Sequence, residues 1–331
     1  MSQNEKSRKL MRHFTRLPGL AALSLALVAA GASAAYPERS ITLIVPFAPG
    51  ASADGIARVV AQELSNAVGQ PVVVENRPGA GGATGLMAVA RAEPDGYTLG
   101  MGATGALVVA PHLPDSSPLK PDEQLQPLAK LADIPLVLVA GKASGFDNLK
   151  DVLAKGKQTE IPTGNTGQYT AQHLSAELLA NMAGIKLYSV PYRGSAPAVT
   201  DLLGGQVPLA LVDFTSAAPH ISAGTIKPLA VTSSARSKLA PDIPTMAEAG
   251  VPGYGAHAWM GLFLPKGASP EVVAKLSKEI AAVMEKPEVQ QRIIQLSAEP
   301  SYMGPEDFGR FIANESNNWR SVIQKLNTVG K

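Results

Sequence analysis

The sequence predicts an α/β protein of two lobes, each a mostly parallel sheet flanked by helices. Three observations predict it. Short β-branched runs alternate with amphipathic helical stretches from residue 41 to about residue 101. The same alternation starts again near Pro135. The chain has 331 residues, which suggests about two domains at roughly 150 residues each. Hydrophobic residues are 45% and charged ones 17%, so there is enough apolar surface for buried cores and global disorder is excluded. The 31 Gly and 27 Pro fall in no repeat, which points to a loop-rich globular chain and away from collagen. The absence of cysteine excludes a disulfide scaffold, a Cys-ligated zinc, an iron–sulfur cluster and a Cys nucleophile. A net charge of +2 lacks the basic stripe that nucleic-acid binding needs.

The charge is uneven. Residues 1–34 carry Lys6, Arg8, Lys9, Arg12 and Arg16 against Glu5 alone. An apolar run from Leu20 to Ala30 follows, and then Ala32-Ser33-Ala34. A basic start, a short apolar segment and an A-x-A end make a secretory signal peptide. The run is about half the ~20 residues that a membrane span needs, so cleavage after Ala34 is expected over an anchor. Removing 34 of the 331 residues leaves 297 and takes away five basic and one acidic side chain, which moves the net charge from +2 to −2.

Taken in order, Ile41-Thr-Leu-Ile-Val45 reads as a buried strand. Residues 47–52 read as a loop. A helix follows from about Ala53 through Ile56, Val59, Val60, Leu64 and Val68, and Gly69 stops it. Residues 71–75 are a second strand, 76–82 a loop, 84–92 a short helix and 97–101 a third strand. That succession gives a parallel sheet with right-handed crossovers. Beyond Pro135, residues 136–140 read as a strand, 148–154 as a short helix, 163–168 as a glycine-bearing turn and 171–183 as a helix. Strands at 186–191 and 207–214 flank a helix at 196–203, and 229–232 is one more strand. Residues 258–264 are apolar with aromatic members. The tail reads as helices opened by Ser269-Pro270-Glu271 and Pro305-Glu306, returning to the first lobe.

Most candidate chemistry fails on spacing. Gly100-Met-Gly-Ala-Thr-Gly105 matches G-x-G-x-x-G, but it follows the third strand and Pro111 comes soon after, so no dinucleotide helix is expected. The histidines His13, His112, His173, His220 and His257 make no tight pair, so no metal site is expected. His173 reads as a cap or packing residue, with pocket contact as the alternative. There is no G-x-S-x-G elbow. What remains is four small-residue loops after strands, at 46–54, 78–85, 163–170 and 192–195. In open α/β sheets ligands bind beyond the carboxyl ends of strands. Loops free of bulky side chains let backbone N–H groups and helix N-termini meet an anion. Four such loops, two per lobe, point to a cleft that closes on a carboxylate.

The motifs then resemble a known family along nearly the whole chain after the leader. Tyr36-Pro-Glu-Arg-Ser-Ile-Thr-Leu-Ile-Val-Pro-Phe47 with Pro49-Gly50 and Asp54 is similar to the opening of the tripartite tricarboxylate transporter substrate-binding proteins, or Bug-type receptors. Val73-Val-Glu-Asn-Arg-Pro-Gly-Ala-Gly-Gly82, Pro94-Asp-Gly-Tyr-Thr98 and Val190-Pro-Tyr-Arg-Gly194 continue the match. Asp201-Leu-Leu-Gly-Gly-Gln-Val207, Ala230-Val-Thr-Ser233, Pro241-Asp-Ile-Pro-Thr245 and Glu248-Ala-Gly-Val-Pro-Gly253 complete it. The resemblance implies a two-lobed periplasmic binding protein of the type II, Venus-flytrap kind, with two crossover strands. Residues 35–133 with 258–331 form lobe 1, and 134–257 form lobe 2. It implies a monomer that binds a small organic acid or amino acid, hands it to membrane permease subunits, and needs no cofactor, metal or nucleic acid.

Carried over residue by residue, the expected ligand set starts in the first loop with Phe47, Ala51, Ser52, Ala53 and Asp54. Thr104 comes from the third-strand end, and Thr166, Gly167, Tyr169 and Thr170 from the second-lobe turn. Tyr192, Arg193, Gly194 and Asp213 come from later strand ends. N–H groups around Ser52 and at Thr166 and Gly167 are assigned to the carboxylate, and Ser52, Thr104 and Thr170 add hydroxyls. Arg193 either pairs with the acid or is solvated, and Asp54 either caps its helix or touches ligand. Ala51 and Tyr169 each stand where the family usually has Gly, which predicts a stiffer loop and a pocket narrowed toward an aromatic or compact acid. Two rival readings stay open: a sensory module for a membrane kinase, and a periplasmic hydrolase, for which no nucleophile and base are visible.

Overall fold

The computed structural model describes residues 36–113 and 118–329. The chain divides into two units at Glu38 and Arg39. In the first unit only Tyr36, Pro37 and Glu38 are described, with a cis Tyr36–Pro37 peptide. The expected signal peptide, its cleavage point after Ala34, and His13 lie outside the described residues.

The second unit begins with β1 (Ile41–Val45), α1 (Ser52–Val68), β2 (Val72–Asn76), α2 (Ala83–Ala90) and β3 (Thr98–Ala103). Gly69 ends α1 in the left-handed conformation at φ 72°, as its position predicts. A one-turn helix α3 (Pro121–Gln124) leads into β4 (Leu125–Ile134) and β5 (Leu136–Gly141). Next come α4 (Leu149–Gly156), β6 (Ile161–Asn165), α5 (Ala171–Ala183), β7 (Leu187–Pro191), α6 (Ser195–Leu203), β8 (Leu209–Asp213), α7 (Phe214–Ser222) and β9 (Ile226–Val231). The chain closes with β10 (Ala258–Pro265), α8 (Pro270–Glu285), α9 (Pro287–Gln295), β11 (Glu299–Met303) and α10 (Pro305–Val329). Ser269 caps α8 by accepting the Val272 N–H, with Pro270 in the first turn.

Two sheets result, ordered β11-β4-β10-β3-β1-β2 and β7-β6-β8-β5-β9. They are mixed. The crossover pairs β1–β2, β1–β3, β6–β7 and β6–β8 are parallel, as the strand–helix alternation predicts. The strands β4, β5, β9, β10 and β11 add antiparallel pairs. The reason is the path of the chain. It passes from β4 to β5 through Pro135 alone and so leaves one sheet for the other without a helix. It returns to the first sheet at β10, which lies between β3 and β4 and runs opposite to both.

Three strands escape the sequence reading: β4, β6 and β11 (Glu299–Met303), the last lying in a tail that reads as helices. β4 contains Pro127 and Lys130, which interrupt any apolar alternation. Pro127 sits beside a register shift with β10, where the missing N–H breaks no regular ladder. Lys130 is 2% exposed, but its ammonium meets Asp133 at 2.6 Å and Ser301 at 2.9 Å and faces the Phe311 ring. β6 contains Pro162 and Gly164, which read as a turn. Gly164 leaves room for the Tyr192 ring, which lies 3.2 Å from where a Cβ would stand.

The tail packs on the first sheet. Trp259 and Phe263 of β10 meet Phe308 edge-on or tilted at 5.3 Å, and Phe311 also meets Trp259. Gly261 lies between those two aromatic residues of β10, and a Cβ there would stand 2.4 Å from the Phe308 ring and 2.7 Å from the Ala129 carbonyl oxygen. Gly261→Ala is therefore expected to destabilise the fold by about 1–3 kcal/mol through overpacking. Gly309→Ala, in open space on α10, is expected to be neutral or to stabilise by about 0.5–1 kcal/mol. Urea-unfolding midpoints of the two variants check the contrast.

Candidate functional site

A cavity of about 50 Å³ lies between the two sheets. It is walled at the carboxyl ends of β1, β3, β6, β7 and β8, where an open α/β sheet presents its loops. All four small-residue loops reach it, through Phe47, Ala51, Ser52 and Ala53, through Gly81, through Thr166 and Thr170, and through Gly194 and Ser195. Ile134 and residues 258–260 line it where the chain passes between the sheets.

The helices α1, α5 and α6 begin at this cavity with first-turn residues in its lining. The first N–H groups of any helix have no partner within it. At α1 the N-cap is Ala51, which has no side chain able to cap, so the N–H groups of Ser52, Ala53 and Asp54 stay available. At α6 the N-cap is Gly194 and again no side chain caps. At α5 Thr170 accepts the His173 N–H at 3.4 Å, which leaves Ala171 and Gln172. Each terminus adds the positive end of a helix dipole, so the wall favours an anion although it holds no cation.

Asp54 shapes the first of these starts without lining the cavity. Its carboxylate accepts from Gly50 N–H at 3.0 Å, Asn76 Nδ2 at 2.9 Å and Arg58 Nε at 3.0 Å. Asn76 also donates to the Phe47 carbonyl and ties the whole loop down. Burial alone would raise this carboxyl, but Arg58, Gly50 and Asn76 outweigh it and hold it below 3.8. Ala51 sits at φ −70° and ψ 160°, an ordinary extended conformation, so the loop needs no glycine there.

Asp213 ends β8 in the cavity wall and is 7% exposed. Its Oδ2 accepts from Ser52 Oγ at 2.5 Å, and its Oδ1 from Gln172 Nε2. Its main-chain N–H donates to Ser195 Oγ at 3.1 Å. Burial pushes the carboxyl up, while the Ser52, Gln172 and Ser195 contacts pull the other way and do not cancel the rise. These bonds join the first turn of α1, on one sheet, to β8 and the first turn of α5, on the other.

Of the expected set, Phe47, Ala51, Ser52, Ala53, Thr104, Thr166, Thr170, Gly194 and Asp213 line the cavity. Five others stand elsewhere. Asp54 serves the loop as described. Gly167 donates its N–H to Asn165 Oδ1 at 3.0 Å, inside the turn, so that N–H is not turned to a ligand. Tyr169 has φ 63°, donates its N–H to His173 Nδ1 and turns its ring edge-on to His173, so it neither narrows the cavity nor stacks in it. Tyr192 donates its hydroxyl to Asp201 at 2.8 Å, and burial with that carboxylate pushes the phenol up to about 12. Arg193 is exposed and outside the lining. The Thr170 hydroxyl donates to the Gly167 carbonyl and accepts from Thr166, so it is spent within the turn. Gln172 and Ser195 were missed. Their signal is their place in the first helical turn after Thr170 and Gly194. Residues 258–260 join the site from a distant strand and carry no local signal.

Two α/β sheets with a cavity between them, at the strand ends, fit the two-lobed fold of the periplasmic binding proteins this chain is similar to. The family described as "Tripartite tricarboxylate transporter family receptor" matches residues 56–328, and the chain belongs to it. Protein BugT of Bordetella pertussis is 37% identical over 321 residues, covering 95% of this chain and 98% of that one. The structure of Rhodopseudomonas palustris MatC with bound malate is similar at 31% identity and a TM-score of 0.81, covering 87% of this chain and 100% of that one. That of R. palustris Rpa4515 with adipate has 32% identity and a TM-score of 0.83, covering 88% and 98%.

The Asp54 network sets a pH dependence. A carboxyl held below 3.8 contributes stability that is whole above 3.8 and fades as pH falls through the lower folded-state value. Asp54→Asn is expected to lower the thermal midpoint at pH 7, with the gap from wild type closing below pH 3.8. Thermal unfolding across pH 2–7 checks this.

Proposed function

We propose that the chain is an exported solute receptor that captures a small carboxylate in the cavity between two lobes and delivers it to the membrane permease of a tripartite tricarboxylate transporter. The lobes are residues 35–133 with 258–331, and 134–257. Export uses the leader, removed after Ala34. The receptor acts as a monomer, without cofactor, and does no chemistry on its ligand. One observation carries the reading: α1 and α6 start at a shared cavity with no side-chain cap. A ligand carboxylate supplies the missing acceptors. Its N–H bonds are charge-assisted and strengthened in a closed, drier cleft. The malate and adipate of the two similar structures are carboxylates. Among the described residues, no helix is long and apolar enough to cross a membrane.

Thermal-shift measurement against a panel of small organic acids and amino acids tests this. A ligand at 100 times its Kd is expected to add about 2.7 kcal/mol of stability. Proline is tolerated at the first helical position, and Ala51 already has the extended backbone that precedes a proline. Ser52→Pro is therefore expected to keep α1 yet bind at least tenfold more weakly than Ser52→Ala, which loses the hydroxyl alone. No stabilisation by any acid, or equal affinity of the two variants, would sink the assignment.

A further inference from the structure

Among the described residues that line the cavity, Asp213 alone has an ionisable side chain, and it is an acid. A pocket that receives an anion through helix starts thus also holds a buried carboxyl of its own, negative when ionised. A carboxylate has about four acceptor positions. Ser52 and Gln172 fill one on each oxygen of Asp213, Ser195 also contacts the carboxylate, and one remains. Turning its amide nitrogen to Asp213 leaves Gln172 with its carbonyl oxygen as a further acceptor. Donating its proton to Asp213 leaves Ser52 Oγ with free lone pairs. The Asp213 end of the cavity is therefore rich in acceptors, and its carboxylate, disfavoured by burial, is stabilised as an ion by a counter-charge.

A second ionised carboxylate placed there would meet a like charge in a low-dielectric wall. An ammonium brings three donors and the opposite charge, and matches the Asp213, Gln172 and Ser52 acceptors. We infer that Asp213 sets the specificity of the cleft, and that the ligand it selects is a zwitterionic aminocarboxylate, its carboxylate at the helix starts and its ammonium at Asp213. This rests on the carboxylate-receptor reading and narrows its ligand class. With such a ligand the cleft keeps the single net charge of Asp213, whereas a dicarboxylate would add two more negative charges.

Isothermal titration calorimetry at pH 7.5 tests the inference with one panel. It comprises the twenty amino acids, succinate, glutarate, adipate, and the matched 3-aminopropanoate, 4-aminobutanoate and 5-aminopentanoate. The tightest ligand is expected to be an aminocarboxylate. Asp213→Asn is expected to weaken it at least tenfold and to leave the tightest dicarboxylate unchanged or tighter. A second measurement needs only wild type: titrations in two buffers of different ionisation enthalpy count the protons exchanged. Aminocarboxylate binding is expected to exchange none. A dicarboxylate as the tightest ligand, with a proton taken up as it binds, overturns the inference and makes Asp213 a protonated donor. An unchanged preference in Asp213→Asn overturns it too. Both results leave the carboxylate receptor standing, whereas a panel in which nothing binds removes the receptor reading itself.

Discussion

The backbone N–H groups that open α1, α5 and α6 are the constraint around which the cavity is arranged. A helix cannot satisfy them internally, and at two of the three starts no side chain does so. Capping by Ser, Thr, Asp or Asn usually contributes about 0.5–2 kcal/mol. Ala51 and Gly194 forgo that contribution where α1 and α6 meet the cavity, while Asn148 and Ser269 cap α4 and α8 away from it. Forgone capping at shared ground leaves donors aimed at a ligand.

Asp213 is the counterweight. It draws Ser52, Gln172 and Ser195 together, and those residues belong to the first turns of the same three helices. One carboxylate thus registers the three helix starts against each other and links the two sheets across the cavity. The sheets also approach closely elsewhere. A Cβ on Gly105 would stand 2.5 Å from the Tyr169 carbonyl oxygen, so the turn before α5 can lie against the end of β3 only because residue 105 has no side chain. Tyr169 adopts φ 63° at that contact, held by the N–H it donates to His173.

Much of this arrangement is legible in the residues. β-branched runs and helical spacing locate β1, α1, β2, β3, β5 and α5 to within a few residues, and Gly69 marks an end. The four small-residue loops all reach the cavity because small residues after parallel strands leave their backbone exposed at the strand ends. Individual roles are less legible. Gly167 and Thr170 carry the right groups, but bonds inside their own turn use them. Tyr169 and Arg193 have the right chemistry and stand outside the cavity lining, and nothing in their neighbours along the chain reveals it. β4 escapes because Lys130 is buried through Asp133, Ser301 and Phe311, partners that include residues far away in the sequence.

The sequence alone determines the two-lobed α/β class, the family and the four loops. Those depend on local periodicity, on turn residues and on motifs that are contiguous in the chain. Tertiary structure decides that the sheets are mixed, because the direction of β10 follows from where the chain re-enters the first sheet. It also decides which groups face the cavity. Asp213 becomes the one ionisable side chain of the described wall only when β8, α1 and α5 meet, and that meeting joins residues 52, 172 and 213 across long stretches of chain. Burial and hydrogen-bond partners are properties of such meetings, and no stretch of residues carries them by itself.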